Sequence, residues 1–114
     1  MVFDRQRGSA EILIMALLRE RPMYGYEIIR ELAERSEGFF AMEEGHLYPI
    51  LHRLERRRWA ATEWRLVDGR RRRYYALAQD GLTALNASAG EWMTFVRWFN
   101  QILSTEGGVT RAES

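Results

Sequence analysis

Cysteine is absent from the sequence, and so is lysine: all 17 basic residues are arginine. Without cysteine there are no disulfides, thiolate zinc sites or thiol nucleophiles. Without lysine, Schiff-base and lysine general-base chemistry fall away. Long hydrophobic stretches are missing too. The longest, Ile12–Leu18, has seven residues, against about 20 for a spanning helix, so no membrane partner is expected. No nucleophile elbow and no phosphate-cradling glycine loop is present, which leaves an enzyme as the least supported class. The two histidines, His46 and His52, stand about 120° apart around a helix axis and cannot hold one ion without a third ligand; neither a metal nor a cofactor is expected. The polar start, Met1–Arg7, carries no signal-peptide pattern. With the missing cysteines, this sets the expectation of a cytoplasmic protein.

A chain of 114 residues, 46% hydrophobic and 29% charged, suits one globular domain with enough apolar side chains for a core. Its net charge of +1 hides an asymmetry. From Gly45 to Leu77 nine arginines stand against three acids (Glu55, Glu63, Asp68), a net of +6, while the other 81 residues carry −5. Two readings fit: a polyanion partner, or a solvated arginine face paired with acids.

Apolar spacing predicts four helices and a hairpin. The first helix runs from Ser9, a suitable N-cap, to Glu20; Arg21-Pro22 ends it. The second extends from Tyr24 or Gly25 to Ser36, with Ile28, Ile29, Leu32 and Ala33 inward and Gly38 as its stop. Phe39–Met42 is an apolar link able to carry a brief strand. The third covers about Glu44–Arg57, with Leu47, Ile50, Leu51 and Leu54 as one stripe. Gly45, Pro49, His52, Arg53 and Arg56 fall on the other side, and Pro49 demands a kink or a helix starting only one turn earlier. Asp68-Gly69 is a hairpin turn signal between the strand-like Thr62–Leu66 and Arg70–Leu77. The last helix, Asp80–Leu103, repeats Leu82, Leu85, Ala89, Trp92, Val96, Phe99 and Leu103 at alternating intervals of three and four, a heptad seam. Phe95, Trp98 and Ile102 add a second stripe. Residues 1–7 and 104–114 read as flexible termini.

Three helices followed by a ribbon is the order of a winged helix-turn-helix, so the expected class is mainly α with a two-stranded β-wing and a long C-terminal helix. The expected division is a DNA-binding domain at 8–78 and a dimerisation helix at 79–103. The third helix would read double-stranded DNA through His52, Arg53 and Arg56. Arginine suits this because its planar fork binds guanine or phosphate bidentately. Arg70–Arg73, followed by Tyr74, would lie on the backbone or in a minor groove; a charged ribbon edge that deters strand pairing is the plainer alternative. The seam of the last helix suggests a twofold dimer, against a helix packed only on its own first helix. A small-molecule-binding or protein-interaction module built on the Trp-rich helix remains the rival function.

These residues resemble the PadR-type transcription regulators, in the short form with a single C-terminal helix, from about Arg7 to Leu103. The motifs are Pro22-Met-Tyr-Gly-Tyr-Glu27, Glu44-Gly-His-Leu-Tyr-Pro-Ile-Leu51, and Arg72-Arg-Tyr-Tyr-Ala-Leu77, with Gly81 opening the last helix. The resemblance implies a homodimeric repressor, released by a small apolar or aromatic effector. Carried over by motif, Tyr24, Gly25, Tyr26, Gly45, His46, Tyr48, Pro49 and Arg70 to Tyr74 would line the DNA, and the last helix would dimerise. Trp92, Phe95, Val96 and Phe99 would flank the effector. Glu43 and His46 replace the family's usual small hydroxyl residues, and Arg58-Trp59 replaces its usual glycine after the third helix.

Overall fold

A computed structural model describes the backbone of residues 5–106 and the side chains of residues 9–104. The order is α1 (Arg5–Glu20), α2 (Gly25–Arg35), α3 (Glu44–Arg56), β1 (Ala60–Val67), β2 (Arg70–Leu77) and α4 (Gln79–Glu106). None of the described helices is long and apolar enough to cross a membrane.

Helix α1 begins four residues before the expected cap. Arg5, Gln6 and Arg7 are good helix formers, and a single Gly8 weakens a helix without ending it. Ser9 therefore lies inside α1 and does not cap it. Residues 5–7 and 104–106, expected to be frayed, are helical; the remaining terminal residues lie outside the described ones. Helix α2 turns off through Glu37 and Gly38, both at positive φ. The Ser36 hydroxyl donates to the Leu32 carbonyl at 2.6 Å and accepts from the Phe40 N–H at 2.8 Å. This turn sends residues 39–42 across the surface with no strand edge beside them, so the brief strand considered there does not form.

The three-helix core closes on Ile14, Met15, Leu18, Ile28, Leu32, Leu47, Leu51 and Leu54, all buried. Burying each such side chain contributes about 1.5–3 kcal/mol. Helix α3 keeps its stripe through Pro49, which sits inside it.

The hairpin turns on Asp68 (φ +52°) and Gly69 (φ +77°). Two positive φ angles match the right-handed twist of the flanking strands, the type I′ solution. The turn fixes the register: Arg65 opposes Arg72 and Trp64 opposes Arg73. The ribbon is anchored at its base, where Met23 and Tyr75 exchange both backbone hydrogen bonds, at 3.0 and 2.8 Å. Both side chains are buried.

After α3, Arg58 holds φ +63°. Its N–H donates to the Glu55 carbonyl and the Trp59 N–H to the Leu54 carbonyl, a helix ending that normally takes glycine. A side chain there costs about 1–2 kcal/mol. Arg58→Gly is therefore expected to stabilise the fold by about 1 kcal/mol, read as a higher urea midpoint at unchanged slope. Beyond the ribbon, Gly81 lets α4 approach the α3–β1 corner: a Cβ there would strike the Trp59 carbonyl. Ala78, just before α4, donates its N–H to that same carbonyl at 2.8 Å. Asp80 falls in the first turn of α4, where a negative charge suits the helix dipole.

Candidate nucleic-acid interface

On α3, the face opposite the core stripe presents Gly45, Pro49, His52 and Arg56, all exposed. One flank carries Tyr48, whose hydroxyl lies directly beneath Gly25 at the start of α2; a Cβ on Gly25 would collide with it. Burial, with the Glu44 carboxylate adding to it and Arg72 opposing it, pushes the Tyr48 phenol above its ordinary pKa. Gly25 is itself buried. Its lack of a side chain allows the helix-turn-helix pair to close.

The other flank of α3 points away from the ribbon. Arg53 donates to Glu11 of α1 through Nη2 at 2.8 Å and Nε at 3.1 Å. It bridges two helices, a partnership its wheel position did not suggest. His46, on the same flank, borders an open cleft of about 940 Å³ between α1, residues 39–42 and α3, with Trp92 at its edge.

The two faces of the ribbon differ. On the face beside α2, Arg72 lies over the Tyr24 ring at 4.6 Å and Arg65 over the Tyr74 ring at 4.3 Å. Tyr24 meets Tyr74 edge-on at 5.4 Å and Tyr26 at 6.5 Å, and Arg30 covers Tyr26 at 5.5 Å. Cations and rings thus alternate from the start of α2 up the ribbon. Each guanidinium keeps N–H groups for phosphate while its flat face rests on a ring. Tyr74 is buried as a support in this ladder. Arg65 and Arg30 were not singled out from the sequence. Counting back from the Asp68-Gly69 turn places Arg65 opposite Arg72 and would have found it; no local signal marks Arg30.

On the opposite face, Arg71 lies over Trp64 at 4.7 Å. Arg73 donates to Glu55 of α3 at 2.7 Å and to the Thr62 hydroxyl at 3.3 Å. Arg73 thus ties the ribbon to α3, and the four consecutive arginines divide into different jobs. Arg70 and Arg72 make no ion pair among the described residues, which leaves their charge for a polyanion.

Helix α4 also splits along its length. Leu85, expected at a dimer interface, is 1% exposed within the single chain. It packs into the same core as α1, so it contributes to the fold and not to a partner contact. Leu82, Ala89 and Trp92 are half-buried. Further along, Val96, Trp98, Phe99, Ile102 and Leu103 are exposed, Ile102 by 69%. Trp92, Phe95 and Phe99 form a ladder: 5.7 Å edge-on, then 5.6 Å stacked.

Comparison with known proteins agrees with this geometry. Residues 14–87 match the Transcriptional regulator PadR-like family. An uncharacterized protein of Lysinibacillus sphaericus is 33% identical over 90 residues, covering 78% of this chain and 83% of that protein. A protein described as a transcriptional regulator from Mycobacterium tuberculosis is 34% identical over 80 residues, covering 70% and 72%. The crystal structure of a PadR family transcriptional regulator from Eggerthella lenta superposes with a TM-score of 0.76 at 31% identity, over 88% of this chain and 86% of that one. With its helix-turn-helix pair, basic ribbon and long last helix, the chain belongs to the PadR-like family: it is a winged-helix, DNA-binding regulator of transcription and not an enzyme.

Proposed function

We propose that the protein is a homodimeric repressor that reads a near-palindromic operator with two copies of α3 and grips the flanking backbone with two wings. The observation that carries this reading is the continuous surface from His52 and Arg56, past Tyr48 and Tyr24, to Arg72 and Arg70. Exposed donors on a helix supply base readout, and ring-supported arginines supply phosphate contacts. In a twofold dimer the two reading helices stand about 34 Å apart, one turn of DNA. Dimerisation is supported by the run of exposed apolar side chains on the C-terminal half of α4, Val96, Trp98, Phe99, Ile102 and Leu103, a surface of the kind that marks an interaction site. Its aromatic ladder, Trp92, Phe95 and Phe99 with Val96 beside it, suits a small apolar or aromatic effector whose entry would change the spacing of the reading helices.

Fluorescence anisotropy tests the reading with DNA from upstream of the protein's own gene, against a shuffled duplex, at two salt concentrations. The expected result is a preference of about a hundredfold, equivalent to about 2.7 kcal/mol, and a log–log salt slope near −7 for about eight phosphate contacts. Absence of binding to either duplex at low salt would overturn it.

A further inference from the structure

We propose that the backbone carbonyl of Gly45, left without its i+4 donor by Pro49, is a base-reading acceptor, and that each operator half-site presents it with an exocyclic amino group of cytosine or adenine. The inference rests on α3 being the reading helix and adds the chemistry of one position to that assignment.

In an α-helix the carbonyl of residue i accepts from the N–H of residue i+4. For Gly45 that residue is Pro49, which has no N–H and whose ring crowds the carbonyl it would have bonded. Pro49 lies well inside α3, which starts at Glu44. It is past the first turn, where a missing N–H is harmless. Gly45 carries no side chain to screen its carbonyl, is exposed, and has nothing within 4 Å of where a Cβ would stand. The contrast with Gly25 and Gly81 is direct, since a Cβ at either would strike a neighbour. The protein interior needs glycine at those two positions and does not need it at Gly45. Glycine and proline are the two poorest helix formers. Here they stand four residues apart on the exposed face that also carries His52 and Arg56.

A carbonyl can only accept. Phosphate oxygens offer it no donor, and in the major groove the donors are the N4 amino group of cytosine and the N6 amino group of adenine. An acceptor at Gly45 therefore selects cytosine or adenine on the contacted strand and rejects guanine and thymine. Farther along α3, Arg56 supplies donors suited to guanine, and His52 can donate to N7 or O6 as well. Gly45 and His52 are separated by about 10 Å of helix rise, roughly three base-pair steps of 3.4 Å. The half-site should place an amino-bearing base about three steps from a guanine.

The test is a cycle on the full-length dimer. A preferred half-site is first selected from a random duplex pool. Its cytosines are then replaced one at a time by 2-pyrimidinone and its adenines by purine, each lacking only the amino group. Wild-type protein is expected to lose about tenfold in affinity at one such position per half-site; the analogue that causes the loss identifies the base. Pro49→Ala restores the N–H to Gly45. It should raise the thermal midpoint and lose less than twofold on the same analogue, each protein's loss being taken relative to its own affinity for the unmodified half-site. Equal losses in both proteins would overturn the inference, as would a wild type indifferent to every amino deletion, a result that needs no variant to fold. A wild type that selects no sequence from the pool would instead overturn the DNA-reading assignment, and the inference with it.

Discussion

Replacing Arg70 and Arg72 together by alanine is expected to weaken operator binding about a hundredfold or more near physiological salt and to remove close to four units from the log–log salt slope. Each arginine on a phosphate releases about 0.9 counterion, and two arginines on each of two wings give about 3.6. Non-specific and specific duplexes should lose affinity almost equally, because phosphate contacts carry little sequence information. Arg73→Ala makes the contrast. Its guanidinium is held by Glu55 and Thr62, so the salt slope should stay near the wild-type value while the fold loses about 1–2 kcal/mol from the broken, partly buried charged hydrogen bonds. Anisotropy titrations across a salt series, beside urea melts, separate the two outcomes. An unchanged slope for the double variant would remove the wing from the DNA.

Phe99→Glu is expected to dissociate the proposed dimer. Phe99 is 52% exposed in the single chain and stacks on Phe95 at 5.6 Å, at the centre of the uncovered ridge of α4. In the proposed twofold dimer one substitution would bury two unpaired carboxylates, at a cost of several kcal/mol. Dimer affinity should fall by a thousandfold or more, and operator affinity should fall with it, because one reading helix then binds without its partner. The helix itself should survive, since this half of α4 lies beyond the buried Leu85. Sedimentation equilibrium with circular dichroism checks both statements. A variant that remains dimeric at micromolar concentration would place the dimer contact elsewhere.

Local signals account for most of what the sequence revealed. The Asp68-Gly69 turn sets the hairpin and its register because a two-residue loop at positive φ leaves one geometry. The Leu47, Ile50, Leu51, Leu54 stripe orients α3 because only one face of a helix can meet a core of this size. What stayed hidden depends on residues far apart in the chain. Nothing near Arg53 announces Glu11, 42 positions earlier, so a helical wheel puts it with the DNA-facing side chains. Arg73 looks like its three neighbours until the pairing with Glu55 is known. Gly25 reads as part of a DNA-lining motif, whereas its hydrogen side chain leaves room for the Tyr48 hydroxyl. The heptad seam of α4 has correct spacing throughout, yet spacing does not tell which half meets α1 and which half is left for a partner. The position of α1 decides that, burying Leu85 and leaving Phe99 and Leu103 exposed. The early start of α1 escaped for a different reason: a serine able to cap does so only where the chain before it leaves the helix.

Hydroxyl-radical footprinting of the selected operator tests whether two copies of α3 read DNA across a twofold axis. Two protected patches on each strand are expected, related by the axis and centred about 34 Å apart, one helical turn, with protection extending outward where the wings rest. A single protected patch, or protection that ignores the symmetry of the site, would contradict it.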